Sequence, residues 1–539
     1  MKKFLIVLLL VISALANAQS PGEKADDLIQ AAIPNNEHGV AVLVANSDEV
    51  VYEKYHGFAD VANSRKVDSN TIFRIGSVTK QFTAIAILKL AEQGKLNVND
   101  KLSQYIPDFP KGDHVTIHHL LTHTSGIISF TDQNNFLREV SQPIKTADLI
   151  NRIKVYGYEF EPGEKWKYNN SAYYILSYLI ENVSGMSYSD YLQKYLLEPA
   201  GMKNSGVYYN AEKYENEALG YSNVGPEMKR ALNWDMSWAG GAGNMYSTVG
   251  DLHNWNQSLF NGKIITKNSL EQALSPVKLN DGSNYPYGYG LLLSEYKGLE
   301  KIWHNGGLNG FLSALTYYPE TDASVVVLSN AYPPLQLVPD VITQRLTDIF
   351  FSDKIQLPKE QKLEVEELQQ YVGEFAYPSA RMKTRVKDGQ LYAQLTGQPE
   401  FPIFYKGDHT FFWKVVDAQI QFKHDEQGNV IAAMHKQNGM ELEVKKVEES
   451  DNDYNVSSAE FVVYAGEYDM SGKWLKVWDE DGIFYTQIEG QPKFELIPVE
   501  EHKFKINYPI VKVTFEVEGG QATALTIFQN GKTFKASKK

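Results

Sequence analysis

Residues 371–422 recur 93 positions further on without a gap. Tyr371-Val-Gly373-Glu374-Phe returns as Tyr464-Ala-Gly466-Glu467-Tyr, Asp388-Gly389 as Asp481-Gly482, and Gly397-Gln398-Pro399 as Gly490-Gln491-Pro492. Phe411 and Phe422 map onto Phe504 and Phe515, and 15 of 52 positions are identical, where unrelated stretches would share roughly three. A duplication forces the last third of the chain to fold as two copies of one unit. Short apolar runs between Gly, Asp and Pro turns predict a small closed antiparallel barrel for each copy. Glu448 to Ser457 is polar and reads as the linker between them. The tail aromatics Phe411, Phe412, Trp413, Trp474 and Trp478 read as barrel core.

Upstream of the repeat the texture is different, with helical and strand-like patterns alternating. Val40–Ala45 and Val50–Tyr55 predict a hairpin, three β runs lie between 299 and 330, and a helix is expected at 338–350. The most informative segment is Ser77 to Gln93. Its apolar residues nearly encircle a helix, so that helix must lie inside a domain, and Gly94 suits its C-terminal cap. The expected fold is therefore α/β (α+β): helices and an antiparallel sheet, followed by two β-barrels.

The first 18 residues form a separate unit. Lys2 and Lys3, an apolar run from Phe4 to Leu15, and Ala16-Asn17-Ala18 match a basic region, a hydrophobic region and a small-residue cleavage site. The apolar run is too short to span a bilayer. A signal peptide at 1–18 predicts a secreted, periplasmic chain starting near Gln19 and without a stable membrane span. The domains then divide as 19–355, 356–450 and 451–539. A net charge of −14 argues against nucleic acid partners, since phosphate backbones would be repelled. Zero cysteines exclude thiol nucleophiles, disulfides and Cys-ligated metal.

The chemistry-bearing residues lie in three places. Ser77 and Lys80 are three apart at the start of the apolar helix, so hydroxyl and amine share a face. An ammonium there is costly to keep charged, which makes Lys80 a possible base for the serine. Ser77 also places its own N–H at a helix start, where an oxyanion could bind. Two other Ser-x-x-Lys matches, Ser275…Lys278 and Ser294…Lys297, sit among turn residues. Tyr168-Asn169-Asn170 precedes a second apolar helix, Ala172 to Val183; a loop Tyr can exchange protons if cations lower its pKa, and Asn170 can bind a carbonyl. Tyr208, Tyr214 and Tyr221 begin similar Tyr-x-Asn matches in loops. His304-Asn305-Gly306-Gly307 follows the strand-like Lys301-Ile302-Trp303, with glycines that let a backbone approach closely.

Ser-x-x-Lys, Tyr-x-Asn 91 residues later and His-x-Gly after a further 136 resemble the serine hydrolases related to class C β-lactamases and penicillin-binding DD-peptidases. The flanking Phe73-Arg74-Ile75-Gly76, Leu120-Leu-Thr-His123-Thr-Ser-Gly126 and Thr248-Val-Gly-Asp251 agree. The duplicated β tail is similar to the lipocalin-like barrels of D-aminopeptidase. The resemblance implies Ser77 as nucleophile, Lys80 as its activating partner and Tyr168 as proton shuttle. It implies that Asn170 holds the acyl side, and that Ser77 and Gly307, beside Gly306, supply the oxyanion-binding N–H groups. His304 stands where these enzymes usually carry a lysine. A mostly neutral imidazole weakens attraction for a substrate carboxylate. That favours amides, esters or free-amino D-peptides.

The expected activity is a peptidase or amidase acting through an acyl-enzyme beside D-amino acids, on a small peptide, amide or ester, with no cofactor and no metal. The rivals are an esterase, a weak β-lactamase, a penicillin-binding sensor that never turns over, and a wall-binding protein. His114, His118, His119 and His123 cluster, but no His-Glu-x-x-His pattern supports zinc. Trp238-Ala-Gly-Gly-Ala-Gly-Asn244 reads as a close-packing or active-site loop, and Ser450-Asp451-Asn452 as a coincidental match to a class A motif.

Overall fold

The computed structural model describes residues 19–539 apart from 34–36, 223–227, 333–336, 378–379, 397, 438–439, 448–453, 455, 471–472, 481, 490–492, 507–510 and 530–531. The leader at 1–18, most of the linker at 448–457, Ser450-Asp451-Asn452 and the second Gly-Gln-Pro lie outside these residues. Two compact units divide between Leu357 and Pro358.

The first unit is built on a six-stranded antiparallel sheet. Its strands are β1 (Val40–Asn46), β2 (Glu49–His56), β3 (Leu292–Tyr296), β4 (Leu299–Leu308), β5 (Phe311–Tyr318) and β6 (Ala323–Ser329), in the order β3-β4-β5-β6-β1-β2. The start and end of the unit meet where β1 pairs with β6, Val42 opposite Val327. Strand periodicity sorts the β1 side chains onto two faces. Val40, Val42 and Val44 pack with Ile29, Val325, Ile342 and Leu346, under helices α1 (Pro21–Ala32) and α5 (Pro339–Phe350). Ala41, Leu43 and Ala45 face the larger cluster around α2 (Thr79–Glu92), α3 (Asn170–Ser184) and α4 (Val249–Phe260). Covered on both sides, β6 is buried along its whole length, with Val325–Leu328 apolar throughout.

Helix α2 is the buried one: Phe82, Ala84, Ile85, Ala86, Ile87 and Leu90 have no exposed surface. Phe82 stacks on Trp255 of α4 at 4.1 Å. Gly94 closes the helix with φ +69°, the left-handed cap its position suggested. Asn169 caps α3, its side chain accepting the Ala172 N–H at 2.8 Å, so the Tyr168 loop is anchored to a helix start.

In the second unit, eight strands from Gly373–Ala376 to Met440–Val447 close into a barrel. The second copy repeats the order, except that the counterpart of Phe401–Gly407 is split into Phe494–Glu495 and Ile497–Glu500, which form the sheet's two edges. The duplication extends to side chains. Tyr371 Oη lies 2.8 Å from His409 Nδ1, and Tyr464 Oη lies 2.9 Å from His502 Nδ1. Phe411 and Trp413 join the first core. Trp474 and Trp478 depart from expectation. The second core takes Leu475 and Val477 instead, so the strand period puts both tryptophans on the other face. Phe412, though buried, likewise points away from the Phe411 side of its strand.

Candidate active site

Ser77 lies in a single 3₁₀ turn, Gly76–Val78, and the α-helix expected to start at Ser77 begins two residues later, at Thr79. The tighter winding eclipses i and i+3, so it brings Ser77 closer over Lys80. Lys80 Nζ stands 3.1 Å from Ser77 Oγ, 2.9 Å from Asn170 Oδ1 and 2.8 Å from the Ala242 carbonyl. Asn170 Nδ2 donates to Thr131 Oγ1 at 3.1 Å, which fixes Oδ1 toward the lysine. Two of the three partners can therefore only accept. A neutral amine gives them its two N–H groups and keeps its lone pair for the serine proton. Lys80 has no exposed surface, and that burial holds its pKa well below the ordinary lysine value.

The Tyr168 hydroxyl faces the Ser77 side chain, and its ring centroid is 4.7 Å from Lys80 Nζ. Burial raises its pKa above the ordinary phenol value. The condition that cations lower it is not met: burial outweighs every lowering influence on the phenol. Tyr168 is thus a phenol with a proton to pass on. His304, buried on β4, lies with its ring 6.1 Å from that of Tyr168. Its pKa is pushed down to about 3, chiefly by burial, with Lys80 adding to the shift only while its amine is protonated. The sequence pointed to a mostly neutral imidazole; burial makes it so through the whole working pH range.

The glycines supply contact. A β-carbon on Gly306 would stand 2.0 Å from the Ile75 carbonyl, and one on Gly76 would stand 2.9 Å from the Gly307 nitrogen. Gly76 itself has φ +51°. Only bare backbone lets β4 press against the Ile75-Gly76-Ser77 segment. Arg74, just upstream, is held by Glu217 at 2.9 Å, Tyr208 at 2.7 Å and Asn233 at 2.8 Å.

Ser77, Asn170 and Gly307 open onto one cleft of about 460 Å³, walled by Phe130, Phe136, Trp234, Met236 and Trp238. Phe136 sits 5.4 Å from Trp234 and 5.9 Å from Trp238, edge to face. Among the described residues, Asp235 is the one charged side chain lining it.

The competing matches have other partners. Ser294 Oγ accepts Trp303 Nε1–H at 3.0 Å and Lys297 pairs with Asp348 at 2.6 Å. Ser275 Oγ donates to Glu271 O at 2.8 Å. Tyr208 binds Arg74, and Tyr214 donates to Glu212 at 2.9 Å. Of the clustered histidines, His118 meets Tyr289 Oη at 2.8 Å, His119 accepts the Thr116 N–H at 3.2 Å, and His123 turns toward the site. Sequence reasoning missed Tyr287, which bridges His123 and His304, and Thr131 beside Asn170. It did single out the Gly-rich loop whose Ala242 carbonyl holds Lys80.

The beta-lactamase family model matches residues 25–346. This chain belongs to the beta-lactamase family. A domain of unknown function, DUF3471, matches residues 357–449. Penicillin-binding protein 4* of Bacillus subtilis is 30% identical over 407 residues, covering 71% of this chain and 89% of that relative. A penicillin-binding protein from Bacillus halodurans, solved by crystallography, is 26% identical with a TM-score of 0.52, covering 61% of this chain and 98% of its own. D-amino acid amidase from Ochrobactrum anthropi SV3 shares the fold, with 23% identity and a TM-score of 0.55 over 62% and 99% of the two chains. Like other members of the beta-lactamase family, this chain is a serine acyl-transfer hydrolase.

Proposed function

We propose that the chain is an exported amidase or peptidase that cleaves the amide bond beside a D-amino acid. The single observation carrying this reading is that, among the described residues, no cationic side chain lines the cleft. Lys80 and His304 favour their neutral forms, and Asp235 brings a negative charge. A substrate with a free carboxylate finds no partner there. One with an amine and an apolar side chain meets a carboxylate and aromatic walls. The fold shared with D-amino acid amidase and with a D-stereospecific amidohydrolase from Streptomyces supports the stereochemical part.

In this reading Lys80 takes the Ser77 proton as Oγ attacks the carbonyl carbon. The Ser77 and Gly307 N–H groups, with Gly306 leaving room, hold the oxyanion. Tyr168 passes a proton to the departing nitrogen as the C–N bond breaks and is reprotonated by the ammonium of Lys80, while Asn170 holds the acyl side of the substrate through its remaining Nδ2–H. Water then cleaves the ester and returns the proton to Ser77. No step asks His304 to ionise. Export rests on residues 1–18, and an N-terminus at Gln19 on the secreted protein would support it.

The test is a panel of D- and L-alanyl and D- and L-phenylalanyl anilides, a short nitrophenyl ester and a chromogenic cephalosporin, each assayed against Ser77→Ala. Faster D than L amide hydrolysis, abolished by the substitution, is expected. Equal D and L rates defeat the stereochemical claim. Labelling by a fluorescent penicillin with no turnover would make the protein a sensor.

A further inference from the structure

His304 ends a hydrogen-bonded chain that the reaction scheme leaves unused. His123, 1% exposed, accepts the Asn169 backbone N–H on Nδ1 at 3.1 Å, so a neutral ring carries its proton on Nε2. That nitrogen faces Tyr287 Oη at 3.0 Å. Tyr287 Oη is 3.3 Å from His304 Nε2, and His304 Nδ1 is 2.6 Å from the Asn305 carbonyl. Both ends are backbone groups of fixed polarity: an N–H that only donates and a C=O that only accepts. With one proton per link the chain runs one way. His123 Nε2–H donates to Tyr287, Tyr287 O–H donates to His304 Nε2, and His304 Nδ1–H donates to Asn305 O.

The geometry points to His123 and Tyr287 as positioning residues that hold His304 in the neutral Nδ1–H tautomer, its Nε2 lone pair already occupied. The arrangement is held on all sides. Rings of Tyr168, Tyr173, Tyr287 and Trp166 surround His123 at 4.5, 5.0, 4.8 and 5.9 Å. His123 itself is held at φ +61°, a strained backbone for a residue with a side chain, and one that aims the ring away from its helix. Facing His304 are Lys80, Tyr168 and Tyr287; behind Tyr287 lie His123 and Tyr173. Tyr173 is the competing acceptor for the Tyr287 proton, its own O–H being committed to Leu121 O at 2.7 Å. Were Tyr173 to win, His304 Nε2 would face an oxygen lone pair and would have to carry a proton itself. The chain therefore decides which nitrogen of His304 carries the proton beside Tyr168 and Lys80.

The direct test is the two-bond ¹H–¹⁵N spectrum of the full chain labelled at histidine, at pH 7, assigned with His123→Gln and His304→Gln. Opposite tautomers are expected: Nε2–H for His123 and Nδ1–H for His304. An Nε2–H or doubly protonated His304 overturns the proposal. Tyr287→Phe gives the second readout. Losing the donor lets His304 protonate more readily, so the acid limb of the kcat/KM profile moves to higher pH, with a roughly 3- to 10-fold loss at pH 7 for one hydrogen bond. An unshifted profile overturns the coupling; a purely structural tyrosine would lower stability and leave profile and tautomer alone.

Discussion

Asn170→Asp replaces the amide that touches Lys80 with a carboxylate of the same shape. In the parent, Asn170 Oδ1 lies 2.9 Å from Lys80 Nζ. A full negative charge at that distance stabilises the ammonium by roughly 6 kcal/mol at an effective dielectric near 20, or about 4 pKa units. Lys80 would then hold its proton at pH 7 and cease to be a base. The expected loss in kcat/KM at pH 7 is on the order of 10³ to 10⁴, recovering about tenfold per pH unit as the solution is made alkaline. Asn170→Ala is the control. It removes one accepting group, costs about tenfold, and leaves the pH profile in place. Acylation by a nitrophenyl ester, followed by stopped-flow from pH 5 to 10, reads both. If the aspartate variant keeps the parent's acid limb, or if the two variants coincide, Lys80 does not act as the neutral base described.

Two further expectations concern the scaffold. Gly306→Ala would place a β-carbon 2.0 Å from the Ile75 carbonyl and 2.4 Å from Ser313 Oγ; the strand must shift, so thermal unfolding should show a loss of several kcal/mol and activity should fall with it, while an unchanged melting curve would contradict the close approach. His38 is fully buried, with neither ring nitrogen hydrogen-bonded, and its pKa is lowered to about 4 by burial first, then by His56. The unfolded chain binds this proton below pH 6.5 and the folded chain does not. Stability from His38 is thus complete above pH 6.5 and declines by about 3 kcal/mol as pH falls to 4. Urea unfolding of His38→Asn should show that much less acid sensitivity, and equal slopes would refute the assignment.

Several parts of this architecture could be read from residue order because they obey a period. The all-round apolar α2 and the 93-residue repeat each fixed an element or a copy. The three-residue spacing of Ser77 and Lys80 survived a change of helix type, since i and i+3 meet in either winding. What could not be read is equally physical. Ala242 contributes a carbonyl, which no side-chain pattern marks. Tyr287, in Tyr285-Pro286-Tyr287, carries no local signature; it matters because β4 and the His123 turn converge on it. His119 and His123 looked like an i, i+4 pair, but the helix ends at Leu121 and the left-handed backbone at His123 swings its ring to the other side. Trp474 and Trp478 share one face of their strand, as core residues would, but the interior is the other face, with Leu475 and Val477. The direction of the Tyr168 pKa was not legible because it depends on how deeply the ring is buried, and burial raises it.

The central claim is that one hydroxyl, Ser77 Oγ, becomes covalently acylated. Intact-mass measurement after rapid mixing with a slowly released ester or penicillin, followed by peptide mapping, tests it directly. The account predicts a single adduct on the peptide containing Ser77, formed in the parent and absent from Ser77→Ala. An adduct on another residue, or hydrolysis that continues undiminished in Ser77→Ala, would contradict it.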